Sequence, residues 1–125
     1  LSTSVRGTTF SFSGPETALK RYLASGEFKH EDIARAAEHV VAKTVEKALL
    51  NAFDAGAPKH VLFVGGVAAN AYIRERLSHR LEHPAVGATL SFADVRYSGD
   101  NAFGVAVLGW RYVRQRSEKN DSHCN

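Results

Sequence analysis

Two places in this sequence put small or polar residues where a ligand could be held. One is Gly65-Gly66 followed by Asn70, in the stretch VLFVGGVAAN; the other is Asp100, in YSGDNAFG. Paired glycines after an apolar run let the backbone turn tightly and approach a phosphate, and the helix that follows adds the positive end of its dipole. A turn that merely packs uses the same residues, so the spacing leaves a nucleotide site and a plain turn both open. Asn70 stands in the first turn of the expected helix, with its amide near the same edge. Asp100 reads on position alone as a helix N-cap, for which Asp is among the favoured residues, with a ligand role as its alternative.

Other clusters carry less chemistry. His79 and His83, in HRLEH, have the i, i+4 spacing at which two imidazoles share a metal, but they end a helix among charged residues and before Pro84, as a solvated terminus does. Ser11 and Ser13 lack the GxSxG setting of a nucleophile elbow. Arg74, Arg76 and Arg80, with Lys20, Arg21 and Lys29, are interleaved with acids, the pattern of a solvated surface more than of a nucleic-acid face.

The elements that must position these residues follow from periodicity. Val61 to Val64 is a continuous apolar run, expected to be a strand buried on both faces of a parallel sheet. Ala69, Tyr72, Ile73, Arg76, Leu77 and Leu81 continue it as a helix stopped by Pro84. Upstream, Phe10 and Phe12 alternate with Thr and Ser as a short strand, Pro15 opens a helix that Ser25-Gly26 closes, and Glu31 to Ala55 holds the helical period until Gly56. Downstream, Ala88 to Phe92 is a second short strand, and a helix with small residues on one face runs from Asn101 to Val113. Residues 1–113 are therefore expected to form one α/β domain, and residues 114–125 a polar tail that frays. Three strands are few for a self-sufficient sheet.

Composition sets the class. The chain has 125 residues, 44% of them hydrophobic and 23% charged, as a soluble globular domain does, and no apolar run is long enough to span a membrane. A net charge of +3 permits a polyanionic partner without requiring one. The one cysteine, Cys124, excludes an internal disulfide, so a cytoplasmic location is expected.

Three separated pieces, SVRGTTFSFSGPETAL, VLFVGGVAAN and YSGDNAFGVAVLG, resemble in order and spacing the TsaD family, also called YgjD or Gcp and once labelled O-sialoglycoprotein endopeptidase. The family's pieces look like SFSGLKT, GGVAAN or GGVSAN, and CTDNAAMIA, so the resemblance covers roughly residues 5 to 112 and only the carboxyl half of such a protein. It implies the carboxyl-terminal subdomain of an actin-like, sugar-kinase-like (ribonuclease H-like) ATPase fold, with nucleotide in the cleft between two domains. The implied activity is transfer of threonylcarbamoyl from threonylcarbamoyl-adenylate to the tRNA adenosine 3′ of the anticodon. Gly65, Gly66 and Asn70 would contact ATP or that adenylate, and Asp100 would hold a divalent metal, whether iron, zinc or magnesium. On the same analogy, removing the Asn70 side chain weakens nucleotide binding and leaves stability almost unchanged.

Implied partners are an amino-terminal domain, other threonylcarbamoyl-synthesis proteins and tRNA, with self-association if this chain is isolated. The family's metal-binding histidine pair belongs to the amino half; HRLEH has its spacing but lies after GGVAAN and does not take that role. Ser98 and Gly99 stand where the family has Cys and Thr. A catalytically inactive relative that serves as a binding or dimerisation scaffold is the alternative reading. The protease label has no support, since no nucleophile-base pair and no protease-type zinc motif is present.

Overall fold

The computed structural model describes residues 1–97 and 102–121. Strands β1 (Ser4–Arg6) and β2 (Thr9–Ser11) form an antiparallel hairpin that pairs Val5 with Phe10. Gly7, at φ +57°, takes the first central position of the two-residue turn, where the primed hairpin turns place a positive φ. The strand expected around Phe10 is thus the second arm of a hairpin. Helix α1 (Ser13–Ser25) begins ahead of Pro15 instead of at it. Pro15 sits buried within the first turn, where its missing N–H would have had no helical partner. Gly26 ends the helix in the left-handed conformation at φ +67°.

Helix α2 (His30–Asp54) is the strut of the molecule, with Glu31 and Asp32 complementing the dipole in its first turn. The hairpin and α1 pack on it, and so does α3 (Ala71–Leu81). Its buried Thr44 is satisfied locally, donating from Oγ1 to the Val40 carbonyl at 2.7 Å.

Strands β3 (His60–Phe63) and β4 (Thr89–Phe92) pair in parallel, with Val61 beside Leu90, Phe63 beside Phe92, and α3 as the crossover between them. Ala42 and Phe53 of α2, Ile73, Leu77 and Leu81 of α3, and Ala88 make the core, against which Val61, Phe63, Leu90 and Phe92 pack. The α/β class expected from the periodicity is therefore what forms.

Burial of β3 differs from the expectation. Alternate residues point to opposite faces, and α3 covers only the one that carries Val61 and Phe63; Leu62 remains 67% exposed. Helix α4 (Ala102–Asp121) continues past Val113, through part of the segment expected to be a polar tail, and its Val105 and Leu108 are exposed. Among the described residues no helix is long and apolar enough to cross a membrane.

Leu77 is 1% exposed at the centre of the α2, α3 and sheet contact. Leu77→Ala is expected to lower the unfolding free energy by about 2–5 kcal/mol, read from urea denaturation. A loss under about 1 kcal/mol would show that this contact does not hold the domain together.

Candidate functional site

The carboxyl edge of β3 and β4 is where the first sequence-predicted group lies. Gly65 has φ +96°, and a Cβ built there would meet no atom within 4 Å, so backbone conformation and not crowding is what demands glycine. Gly66 is right-handed helical at φ −61° and opens a 3₁₀ turn, Val67–Ala69, that the sequence reading merged into the helix. Val64 and Val67 flank the turn, 67% and 64% exposed.

Asn70 is the N-cap of α3 and not a residue of its first turn. Its Oδ1 accepts from the Ile73 N–H at 3.0 Å, and its Nδ2 donates to Glu38 Oε1 of α2 at 2.8 Å. Both ends of the amide are therefore engaged within the chain. This overturns the expectation that its loss leaves stability untouched, because an Asn N-cap contributes to helix stability directly.

Arg74 is the residue at this edge that the sequence reading missed, having placed it on a solvated surface. Its Nε donates to the Ala68 carbonyl and its Nη2 to the Ala93 carbonyl, each at 2.6 Å, with the guanidinium 5.1 Å from the Phe92 ring centroid. Phe92 in turn stacks on Phe63 at 4.9 Å, and the Ala93 N–H donates to the Phe63 carbonyl at 2.9 Å. One side chain thus ties the turn after β3 to the end of β4. No local signal marks it, since both acceptors are backbone carbonyls brought close by strand pairing. Beyond Ala93, the Asp94 carboxyl is held below its ordinary pKa, first by its hydrogen bonds to the Arg96 side chain and backbone and then by the charge of Arg74.

Asp100, the sequence-predicted metal ligand, lies outside the described residues, as do Ser98 and Gly99. Among the described residues no three His, Cys, Asp or Glu side chains come together as a metal-sized group. His83 of HRLEH accepts the Ala85 N–H at its Nδ1 at 3.2 Å, a local contact at the helix end. The residues at hand therefore form no coordination shell by themselves.

A second polar region lies on the outer face of α2 and α3. Glu46 of α2 is 7% exposed and accepts from Arg80 Nε at 2.9 Å and Arg76 Nη2 at 3.2 Å. A carboxylate at that depth is tolerated because both guanidiniums face it. Further along, His39 Nδ1 lies 2.9 Å from the Tyr72 hydroxyl, and the Arg35 guanidinium sits 4.3 Å from the Tyr72 ring centroid. His39 is pushed below its ordinary pKa by desolvation first, then by Arg76, Lys43 and the amino terminus, with Glu46 opposing. A cavity of about 270 Å³ opens here, lined by Tyr72, Glu75, Arg76, His79 and Arg80.

Comparison with known proteins bears on the edge and the region together. A family model described as TsaD, tRNA N6-adenosine threonylcarbamoyltransferase, matches residues 1–107, which takes in the first two motifs whole and the third up to Val107. A protein named tRNA N6-adenosine threonylcarbamoyltransferase from Prochlorococcus marinus (strain MIT 9303) is 42% identical over 107 residues, 79% of this chain and 29% of that protein. Proteins of the same name from Persephonella marina and Caldicellulosiruptor saccharolyticus are 30% and 34% identical, each match taking in 85% of this chain. The chain spans about three-tenths of the length of these curated relatives.

Two outcomes follow from this geometry. Asn70→Ala is expected to destabilise by about 0.5–2 kcal/mol, and Asn70→Ser, which keeps a capping oxygen, to recover most of the loss in denaturant titrations. Equal losses in both would show that the bond to Glu38, and not the cap, is what Asn70 contributes. For His39 the folded pKa lies below the unfolded one, so the unfolded state takes up the proton first. Stability present above about pH 6.5 is then lost as pH falls toward the folded value. Thermal midpoints measured across this range should fall more steeply for the native protein than for His39→Gln; parallel curves would remove His39 from the account.

Proposed function

This chain belongs to the TsaD family, and on that premise we propose that it forms one wall of the nucleotide cleft of a tRNA threonylcarbamoyladenosine-synthesising transferase. Its α/β fold then corresponds to the carboxyl-terminal subdomain of an actin-like, sugar-kinase-like ATPase. The facing wall is an amino-terminal domain, and other threonylcarbamoyl-synthesis proteins and tRNA are the partners. The observation that carries the reading is that the family match takes in SFSGPET, GGVAAN and GDN in one run, residues 1–107.

The roles of individual residues follow from chemistry. ATP or threonylcarbamoyl-adenylate lies over the open side of Gly65, where no side chain intervenes, and Gly66 lets the backbone come close. Asn70 serves first as the cap that fixes where α3 begins, at the same edge as Gly65 and Gly66, and contact with the adenylate would be added to its bonds to Ile73 and Glu38. Arg74 is a positioning residue: by holding Ala68 and Ala93 it keeps the turn and the end of β4 in register, and its charge favours a phosphate at the same edge. Asp100 contributes a carboxylate to a divalent metal, iron, zinc or magnesium. When bound, such a metal would polarise the mixed anhydride toward attack by the exocyclic amine of adenosine. The exposed Val64 and Val67 are where the facing domain packs.

Asp100→Asn tests the reading in the protein as encoded in full, because it keeps a capping side chain and removes the ligand charge. Transfer of threonylcarbamoyl from its adenylate to unmodified tRNA should drop by more than about 100-fold, the upper end of what outer partners of a metal site cost, and metal content should fall with it. Unchanged transfer and metal content would return Asp100 to the cap. A native protein that binds adenylate and tRNA without transferring the group would establish the inactive scaffold instead.

A further inference from the structure

We propose that the face formed by α2 and α3 is a docking surface for the phosphate backbone of RNA. This rests on the reading above only in taking an RNA as the acceptor; the surface itself is argued from its own groups.

The two helices run in the same direction along their contact. Glu38 meets Asn70, His39 meets Tyr72, and Glu46 meets Arg76 and Arg80. Because α3 starts at the carboxyl edge of the sheet, this face begins beside Asn70 and leads away from the edge. Arg35, His39 and Lys43 recur every fourth residue on α2, and Tyr72, Arg76 and Arg80 do so on α3, so each helix presents one row. Eight residues of helix are about 12 Å, enough for more than one phosphate of a chain.

Charge on this face is not used up internally. Glu46 is one carboxylate held by two guanidiniums, which leaves a positive charge over. Arg76 reaches Glu46 through Nη2 and is 25% exposed at the side chain; its Nε is buried, with no hydrogen-bond partner among the described residues, and offers nothing to the surface. Arg80 spends its Nε on Glu46 and is 56% exposed at the side chain. Lys43 is exposed on the same face, one turn of α2 beyond His39. Arg35 is paired with Glu38 at 2.7 Å, and Glu75 places one acid on the rim.

The form of the site selects the ligand. The middle of a helix offers side chains but no free backbone N–H groups, so nothing here cradles a small phosphate as a helix start or a glycine loop would. Long cationic side chains in two rows on an open face hold a chain of phosphates through charge and counterion release, without reading sequence.

The test uses the protein as encoded in full, with fluorescently labelled unmodified tRNA and anisotropy across a salt series. Lys43→Ala decides it, since Lys43 is exposed and lies outside the Glu46 pair; Arg80→Ala is the second variant, with a thermal melt to confirm folding. Each is expected to weaken binding about uniformly across RNA sequences and to reduce the slope of log affinity against log salt by about one. Unchanged affinity and slope in Lys43→Ala would overturn the proposal. Saturable binding of inorganic phosphate that competes with the tRNA at millimolar levels, and is lost in Lys43→Ala, would overturn it in favour of a small anion. A native protein that binds RNA through Lys43 yet transfers nothing would remove the enzymatic reading and leave this surface standing. Active transfer with Lys43-independent RNA binding would do the reverse.

Discussion

The packing of α3 between α2 and the parallel pair of strands is the contact on which everything else in this chain depends. Leu77 and Leu81 are 1% and 0% exposed, and together with Ile73 they fill the space between Phe53 and the inner face of β3 and β4. Two parallel strands cannot close on each other through a short turn; they need a crossover, and the crossover helix also covers their inner face here. Once α3 is seated, its first residue fixes where the turn after β3 must end, and its outer face is fixed against α2. The candidate nucleotide edge and the basic face are thus two consequences of one packing event.

The same event explains where polar groups could be buried. Glu46 lies on the side of α2 that meets α3, so α3 must bring compensation with it, and Arg76 and Arg80, spaced i, i+4, both arrive at that carboxylate. A buried carboxylate is costly unless paired, whereas two partners on one helical row make the pairing specific to a single sliding position of α3 along α2. The cap at Asn70 adds a second constraint of this kind, since its amide is shared between the start of α3 and Glu38. Arg74 adds a third at the opposite side of α3 by tying two strand ends.

What remains uncovered is consistent with a wall of a larger cleft. Leu62, Val64 and Val67 expose apolar side chains on and beyond β3, and Val105 and Leu108 do so on α4. Exposed apolar side chains of that kind are where protein commonly packs. The chain spans about three-tenths of the length of its curated relatives.

Much of the architecture was legible in the sequence because period and punctuation are local properties. The α/β alternation, the long helix ending near Gly56, the closure of α1 at Gly26 and the strand before Gly65 each follow from residues adjacent in the chain. So does the family, since three short motifs in order suffice to mark it. The misread details are those that depend on residues distant in sequence. Whether Leu62 is covered depends on how many layers flank the sheet, which β3 itself does not encode. That Asn70 bonds a neighbour depended on Glu38, 32 residues away, and whether Arg74 faces solvent depended on two carbonyls that only strand pairing brings within reach. Arg76 and Arg80 read as interleaved surface charge for the same reason, their partner Glu46 being 30 and 34 residues away. A side chain's partner is set by what folds against it, so element type and boundaries can be read along the chain, whereas the use of each polar group was decided only when α3 packed onto α2 and the sheet.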